Sequence, residues 1–279
     1  MCGIVAVFGR PNNHQIGRAI QSLMRRGPDD AQLIQVESDV WIGHARLGIV
    51  NPLSGAQPIQ SGKWIVSCNA EIYNHKDLVD NTEHSDCDAI VQALDKYGED
   101  APKHLDGMFA YIAFDKEARR AYIARDAIGI VPLYTGEFAG AVWFSTLLDS
   151  MPPMANVQIV EPGTSCTFKL PDISGPFVHW KSEYQLSGWN TSTEVEVHQK
   201  KIETLLEAAV IKRLQGNVPW GCLLSGGVDS TIVTRLAVKA AAKFRPDYPK
   251  VHTFCIGLQG SPDVKVAEAV AKELGTIHT

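Results

Sequence analysis

The 279-residue sequence has no apolar run long enough to span a membrane; Gly3 to Gly9, among its longest, falls far short of roughly 20 residues. It also lacks a strong charge of either sign. The balance is 26 basic against 31 acidic side chains, a net of −5, so no global field draws the chain to nucleic acid or an anionic membrane. Cysteine is sparse: six residues (Cys2, Cys68, Cys87, Cys166, Cys222 and Cys255) and no C-x-x-C pair. That pattern suggests neither a zinc site nor a disulfide framework, and it fits a reducing cytoplasm in which all but Cys2 are small buried hydrophobes. No signal peptide is legible, because the short apolar run after Met1-Cys2 soon meets Arg10, Pro11, Asn12 and Asn13. Internal repeats and low-complexity tracts are missing as well. What remains, 45% apolar and 20% charged residues, is the composition of an ordinary globular chain of about two domains, at roughly 100–200 residues each.

Two sequence grammars divide it. Up to about Tyr184 the apolar runs are short and strand-like (Ile4 to Phe8, Trp41 to Ile49, Trp64 to Asn69, Met108 to Phe114, Arg120 to Ala124, Val142 to Ser145, Thr164 to Leu170), separated by Gly, Pro and Asn. This predicts a largely antiparallel sheet system. Helices are expected at Ile16 to Arg25 and at Asp86 to Tyr97, the second capped by Ser85 and stopped by Gly98. Residues 185–194 are polar and turn-rich, which places a linker there. After it the period becomes 3.6, with Ile202, Leu205, Leu206, Ala209, Val210 and Ile211 on one stripe. A strand at Gly221 to Leu224, a helix from Ser230, a strand at Val251 to Ile256 and a helix from Pro262 to Leu274 then alternate as in a parallel α/β sheet.

Position 2 carries the first chemical signal. Removal of Met1 leaves Cys2 with its own α-amine, a base of ordinary pKa about 7.7–8.0 within reach of the thiol it would activate for attack on a carbonyl. Taken alone, a Cys at position 2 is more often simply a residue of a buried first strand. Its neighbours are more specific: Cys2-Gly3-Ile4-Val5, Arg26-Gly27-Pro28-Asp29, Arg46-Leu47-Gly48-Ile49-Val50, Asn69-Ala70-Glu71-Ile72-Tyr73-Asn74, Ser85-Asp86-Cys87-Asp88 and Gly107-Met108-Phe109-Ala110, in that order. The series resembles the class II glutamine amidotransferases and, within them, the glutamine-hydrolysing asparagine synthetases.

That resemblance implies a four-layer αββα N-terminal-nucleophile glutaminase domain over 1–184. It implies Cys2 as nucleophile, with the Asn69 side chain and the Ala70 N–H stabilising the oxyanion. Arg46 would clamp the glutamine carboxylate and Asp86 its ammonium, with Glu71, Leu47, Gly48, Ile49 and Val50 holding the rest. Individually these residues read as surface ion pairs and turn residues; their order is what speaks for a site.

Leu224-Ser225-Gly226-Gly227-Val228-Asp229-Ser230 lies between a strand and a helix, where backbone N–H groups make an anion site. It is not a Walker A loop, since the lysine is missing. It resembles the PP-loop of ATP pyrophosphatases, and the resemblance implies an incomplete parallel α/β domain over 195–279. There Ser225, Gly226, Gly227, Asp229 and Ser230 would meet pyrophosphate, Leu224 and Ile256 the nucleoside, and Asp229 a Mg²⁺ ion. The implied substrates are L-glutamine, L-aspartate and ATP, and a homodimer is the assembly considered. Departures from the family pattern occur at Arg25, Ala70, Asp88, Ala127 and Ser145-Thr146-Leu147-Leu148; those at Arg25, Ala70 and Thr146, with the half-built ATP domain, motivate a second reading, an impaired dimerisation or regulatory partner. Alanine at a family glycine is expected to be strained if the position needs a positive φ.

Overall fold

A computed structural model describes residues 1–50, 55–79, 85–154, 156–173, 175–180, 195–216, 218–244, 250–258 and 260–279. The chain divides into two compact units, Met1–Tyr184 and Gln185–Thr279. The linker expected at 185–194 lies outside the described residues.

Among the described residues of the first unit, twelve strands form two antiparallel sheets. They are β1 (Gly3–Phe8), β2 (Asp30–Glu37), β3 (Val40–Arg46), β4 (Ile59–Ser61), β5 (Trp64–Ile72), β6 (Gly107–Asp115), β7 (Arg120–Arg125), β8 (Tyr134–Phe138), β9 (Ala141–Ser145), β10 (Gln158–Ile159), β11 (Thr164–Lys169) and β12 (Phe177–His179). Sheet order is β10-β8-β9-β1-β3-β2 in one and β12-β11-β7-β6-β5-β4 in the other. Because strand side chains alternate, β1 sends Ile4, Ala6 and Phe8 into the layer between the sheets and Val5 and Val7 to the outer face. Both faces are covered, so all six of its residues are buried. The inner layer also takes Ile42, Ile65, Ile112, Phe114 and Phe144, with Phe8 edge-on to Phe168 at 5.0 Å between ring centroids.

One helix covers each outer face. α1 (Asn13–Leu23) starts at a capping box of Asn12 and Gln15, three residues before the expected Ile16, and lays Ile16, Ala19 and Leu23 on Val5, Val7 and Trp143. Following α2 (His75–Leu78), α3 (Asp88–Tyr97) lays Ile90, Val91 and Leu94 on Trp64, Val66, Cys68 and Tyr111. It starts two residues later than the sequence suggested, because Asp86 is drawn to the Ile72 N–H and Ser85 closes the preceding turn on Cys87 and Asp88. Helix, sheet, sheet and helix therefore make four layers. β2 escaped the sequence reading: it is an edge strand with no fully buried residue, so it lacks an apolar alternation.

The second unit has α4 (Val195–Arg213), β13 (Gly221–Leu223), α5 (Val228–Phe244), β14 (His252–Phe254), α6 (Pro262–Leu274) and β15 (Ile277–His278). Its three strands pair in parallel in the order β13-β14-β15, over a small core of Leu224, Ala267 and Ala271. The apolar stripe of α4 is exposed, with Ile202 at 56% and Leu205 at 60%. One expectation needs correcting: Cys222 and Cys255 are only half-buried. No described helix is long and apolar enough to cross a membrane.

Candidate active site

The start of β1 and the ends of β3 and β5 meet at one end of the first unit. A cleft there encloses about 530 Å³ including its open mouth. Cys2, Arg46, Leu47, Gly48, Ile49, Val50, Asn69, Ala70, Glu71 and Asp86 all line it, together with Met1, Gln57, Cys87, Met108 and Val131. Every first-unit residue to which the resemblance assigns a role with glutamine thus shares one concavity.

Cys2 is one step of the alternation before Ile4, so its thiol faces the inter-sheet layer. Its Sγ accepts from the Leu47 N–H at 3.3 Å. Burial pushes the thiol pKa up, and the Leu47 N–H, the terminal amine and the Arg46 charge act against that by favouring the thiolate. The Met1 α-amine beside it is held below its ordinary value by burial, while the Glu71 carboxylate favours its charged form. Neighbouring groups fix the frame: Arg26 Nε donates to Cys2 O at 3.0 Å, and Ile4 exchanges hydrogen bonds with Thr146 through both its N–H and its C=O.

Asn69 lies on the same inward phase of β5 as Ile65 and Ser67. It is 4% exposed, and its Nδ2 has no hydrogen-bond partner among the described residues. An unpaired buried donor costs about 1–3 kcal/mol, a cost that a role at the site accounts for. Asp86 is buried too, its Oδ2 accepting from the Ile72 N–H at 2.9 Å and Oδ1 from the Ser85 hydroxyl at 3.2 Å. Burial raises its pKa, an effect a bound ammonium would reverse. The loop after β3 is held by Asp29, whose Oδ2 accepts from the Gly48 N–H at 2.8 Å and whose N–H donates to Arg46 O. Gly27 permits this approach: a Cβ there would lie 2.1 Å from Ala45 O.

Two departures become intelligible. Ala70 lies inside β5 and is not among the positive-φ residues, so the expected strain is absent. Arg25 pairs with Asp149 at 3.0 Å on the surface, with both side chains about two-thirds exposed, and does not line the cleft.

The glycine-rich turn of the second unit links β13 to α5. Gly226 sits at φ +81°, and a Cβ there would meet Ala267 N at 2.9 Å. Ser230 Oγ accepts from the Ser225 N–H at 3.3 Å, and the two hydroxyls lie 3.0 Å apart. Leu224 is buried, whereas Asp229 is exposed in the first turn of α5 and Ile256 is fully exposed. Among the described residues no cluster of three His, Cys, Asp or Glu side chains is arranged for a metal ion.

The glutamine amidotransferase domain family matches residues 1–164, more than half of the chain. The chain belongs to the glutamine amidotransferase family. Residues 201–279 match the asparagine synthase family. The chain is similar to the glutamine-hydrolysing asparagine synthetase of Asparagus officinalis, 36% identical over all of this chain and 49% of that relative. Asparagine synthetase 3 of Arabidopsis thaliana, also glutamine-hydrolysing, is 39% identical over all of this chain and 50% of its own length. The chain spans about half the length of the curated relatives it matches. Among solved structures, glutamine phosphoribosylpyrophosphate amidotransferase from B. subtilis, complexed with ADP and GMP, aligns with TM-score 0.55 and 14% identity over all of this chain and 65% of that one. At that identity the likeness concerns the fold alone.

Several buried polar residues on or beside the strands that supply the cleft were not singled out from sequence. His44 is 1% exposed, and its Nδ1 lies 3.2 Å from Ser67 Oγ. The Ser67 hydroxyl donates to Gly43 O, so it accepts from His44 Nδ1–H, and Nε2 is left without a partner among the described residues. Burial, with the Arg46 charge, lowers the His44 pKa to about 3. The available signal was a polar side chain on the apolar phase of a strand, at His44 after Ile42 and at Ser67 after Ile65. Asp126, in the Arg125-Asp126 pair, receives backbone N–H groups from Phe109, Ile128, Ile130 and Val131 and so sets the wall of the cleft at Val131.

Proposed function

We propose that the first unit hydrolyses L-glutamine through Cys2. The observation that carries this reading is the unpartnered, buried Asn69 amide in the same cleft as the Cys2 thiol, with Arg46 and Asp86 on its walls. Once Met1 is removed, the α-amine of Cys2 takes the thiol proton and the sulfur attacks the side-chain carbonyl of glutamine. Asn69 Nδ2 and the Ala70 N–H stabilise the oxyanion, each donor being worth about 10²–10³ in rate. The C–N bond breaks, ammonia leaves with the proton held by the amine, and water then releases glutamate from the thioester. Arg46 binds the α-carboxylate, Asp86 the α-ammonium, and Glu71 with Leu47, Gly48, Ile49 and Val50 orients the substrate.

In the same reading the whole protein uses that ammonia to convert ATP-activated L-aspartate to L-asparagine, with AMP and pyrophosphate as by-products. Ser225, Gly226, Gly227, Asp229 and Ser230 hold pyrophosphate, and Leu224 and Ile256 flank the nucleoside. Mg²⁺ fits one exposed carboxylate, Asp229, beside a phosphate site, since that ion is usually held by one or two carboxylates plus phosphates and water. When bound it neutralises phosphate charge. A homodimer and a cytoplasmic location complete this proposal. The alternative of an impaired regulatory partner is not favoured, because the relatives are glutamine-hydrolysing synthetases.

The test is glutamate release, with mass spectrometry of the N-terminus and Cys2→Ala as control. Retained Met1, or equal release by the variant, defeats the catalytic claim.

A further inference from the structure

The edge of β5 facing away from β6 is built in an unusual way. β4 pairs with β5 only at Trp64 to Val66, so from Ser67 onward that edge has no strand neighbour among the described residues. Backbone N–H groups alternate in direction along a strand, and two observations fix the phase. The Cys68 N–H donates to Gln57 Oε1 at 2.8 Å, and the Ile72 N–H donates to Asp86 Oδ2 at 2.9 Å. Ala70 lies midway and shares their direction; its carbonyl oxygen faces the Cys87 thiol at 4.0 Å on the same side. The Ala70 N–H is therefore presented to the cleft between two donors that side-chain acceptors have already taken.

We infer that Gln57 is a positioning residue for the Ala70 N–H, standing in for the missing strand neighbour at Cys68 so that the next donor along the edge keeps its aim into the cleft. Gln57 suits the task. It is 5% exposed, its Oε1 also accepts from the Cys68 thiol at 3.4 Å, and it lines the cleft. Two residues before it, Gly55 runs against the turn that carries Asp86: at φ +76°, a Cβ there would lie 2.7 Å from Ser85 Cβ. One short segment thus bonds Cys68 at one end of this edge and runs against the Ser85-Asp86 turn that holds the other. Without the Gln57 acceptor, the buried Cys68 N–H has nothing to hold it, and small displacements of an oxyanion donor are costly in rate.

The inference rests on the glutaminase reading, and the experiment separates the two. Gln57→Met keeps the size and removes the acceptor; Gln57→Glu restores an Oε acceptor. In the full chain, residue-resolved amide exchange and glutaminase kinetics are measured for both variants, wild type and Cys2→Ala. The wild type is expected to protect the Cys68 and Ile72 amides and to leave Ala70 open. Gln57→Met should unprotect Cys68 and lower kcat about tenfold with KM nearly unchanged, and Gln57→Glu should recover most of both. An Ala70 amide as protected as Cys68 in the wild type, unchanged Cys68 exchange in Gln57→Met, or a loss confined to KM overturns the inference. Wild-type activity equal to that of Cys2→Ala overturns the glutaminase reading and, with it, a catalytic purpose for this edge.

Discussion

Replacing His44 by Asn should flatten the pH dependence of stability of the first unit on the acid side of neutrality. In the folded chain His44 stays neutral down to about pH 3, whereas in the unfolded chain it titrates near its ordinary 6.5. Burial is the main cause, and Nε2, the nitrogen that would take the proton, has no acceptor among the described residues. Below pH 6.5 the unfolded state therefore binds a proton that the folded state refuses, so stability falls as pH falls. At about 1.4 kcal/mol per pH unit, the penalty from this one residue is near 2 kcal/mol at pH 5 and approaches ~5 kcal/mol at pH 3. Asparagine can keep a donor near the Ser67 hydroxyl and cannot titrate. Urea unfolding followed by tryptophan fluorescence, between pH 5 and 7, should give a steeper fall for wild type than for His44→Asn. Parallel curves across that range would refute the reasoning.

Two further outcomes follow from the geometry. Gly27→Ala should lower the thermal midpoint and the glutaminase rate together, since its Cβ would press on backbone at Ala45, an overpacking cost of about 1–3 kcal/mol; Gly17→Ala, in open space on α1, should stabilise by up to about 1 kcal/mol, and reversed signs would contradict both. Once Met1 is removed, the α-amine of Cys2 is expected to lie in the same partly buried setting that lowers the Met1 amine, so the acid limb of the glutaminase pH–rate profile should lie below the ordinary 8.0 of an α-amine. Removing the carboxylate with Glu71→Gln should move the limb further down, so a limb at or above 8.0 would count against the amine as base.

Much of the site was legible because its residues sit in short motifs whose local geometry the chain dictates. Arg46 and Asn69 fall on or near the ends of strongly apolar strands, and Asp86 just before an amphipathic helix, so their elements were readable. Gln57 and His44 were not, for different reasons. Gln57 acts from a segment with no period of its own, through a bond to Cys68 eleven residues away. His44 takes its meaning from Ser67 on the other sheet, a partner 23 residues distant. The start of α3 was misplaced for a similar reason: Asp86 is pulled out of the helix by a strand N–H rather than by its neighbours in sequence.

The sequence by itself determined the family and the kinds of layer: alternating apolar runs for sheets, 3.6-period stripes for helices, and an ordered set of motifs behind Cys2. Its lack of membrane spans, paired cysteines and charge excess narrowed the field before any motif was weighed. Only the tertiary structure decided which phase of each strand faces inward, and hence that Cys2 and Asn69 share one cleft. Sheet packing also buried His44 beyond the reach of a proton and left the Ala70 N–H open on a strand edge. These properties arise from contacts between distant segments, and the physical quantities that govern them, burial and directional hydrogen bonding, exist only once those segments meet.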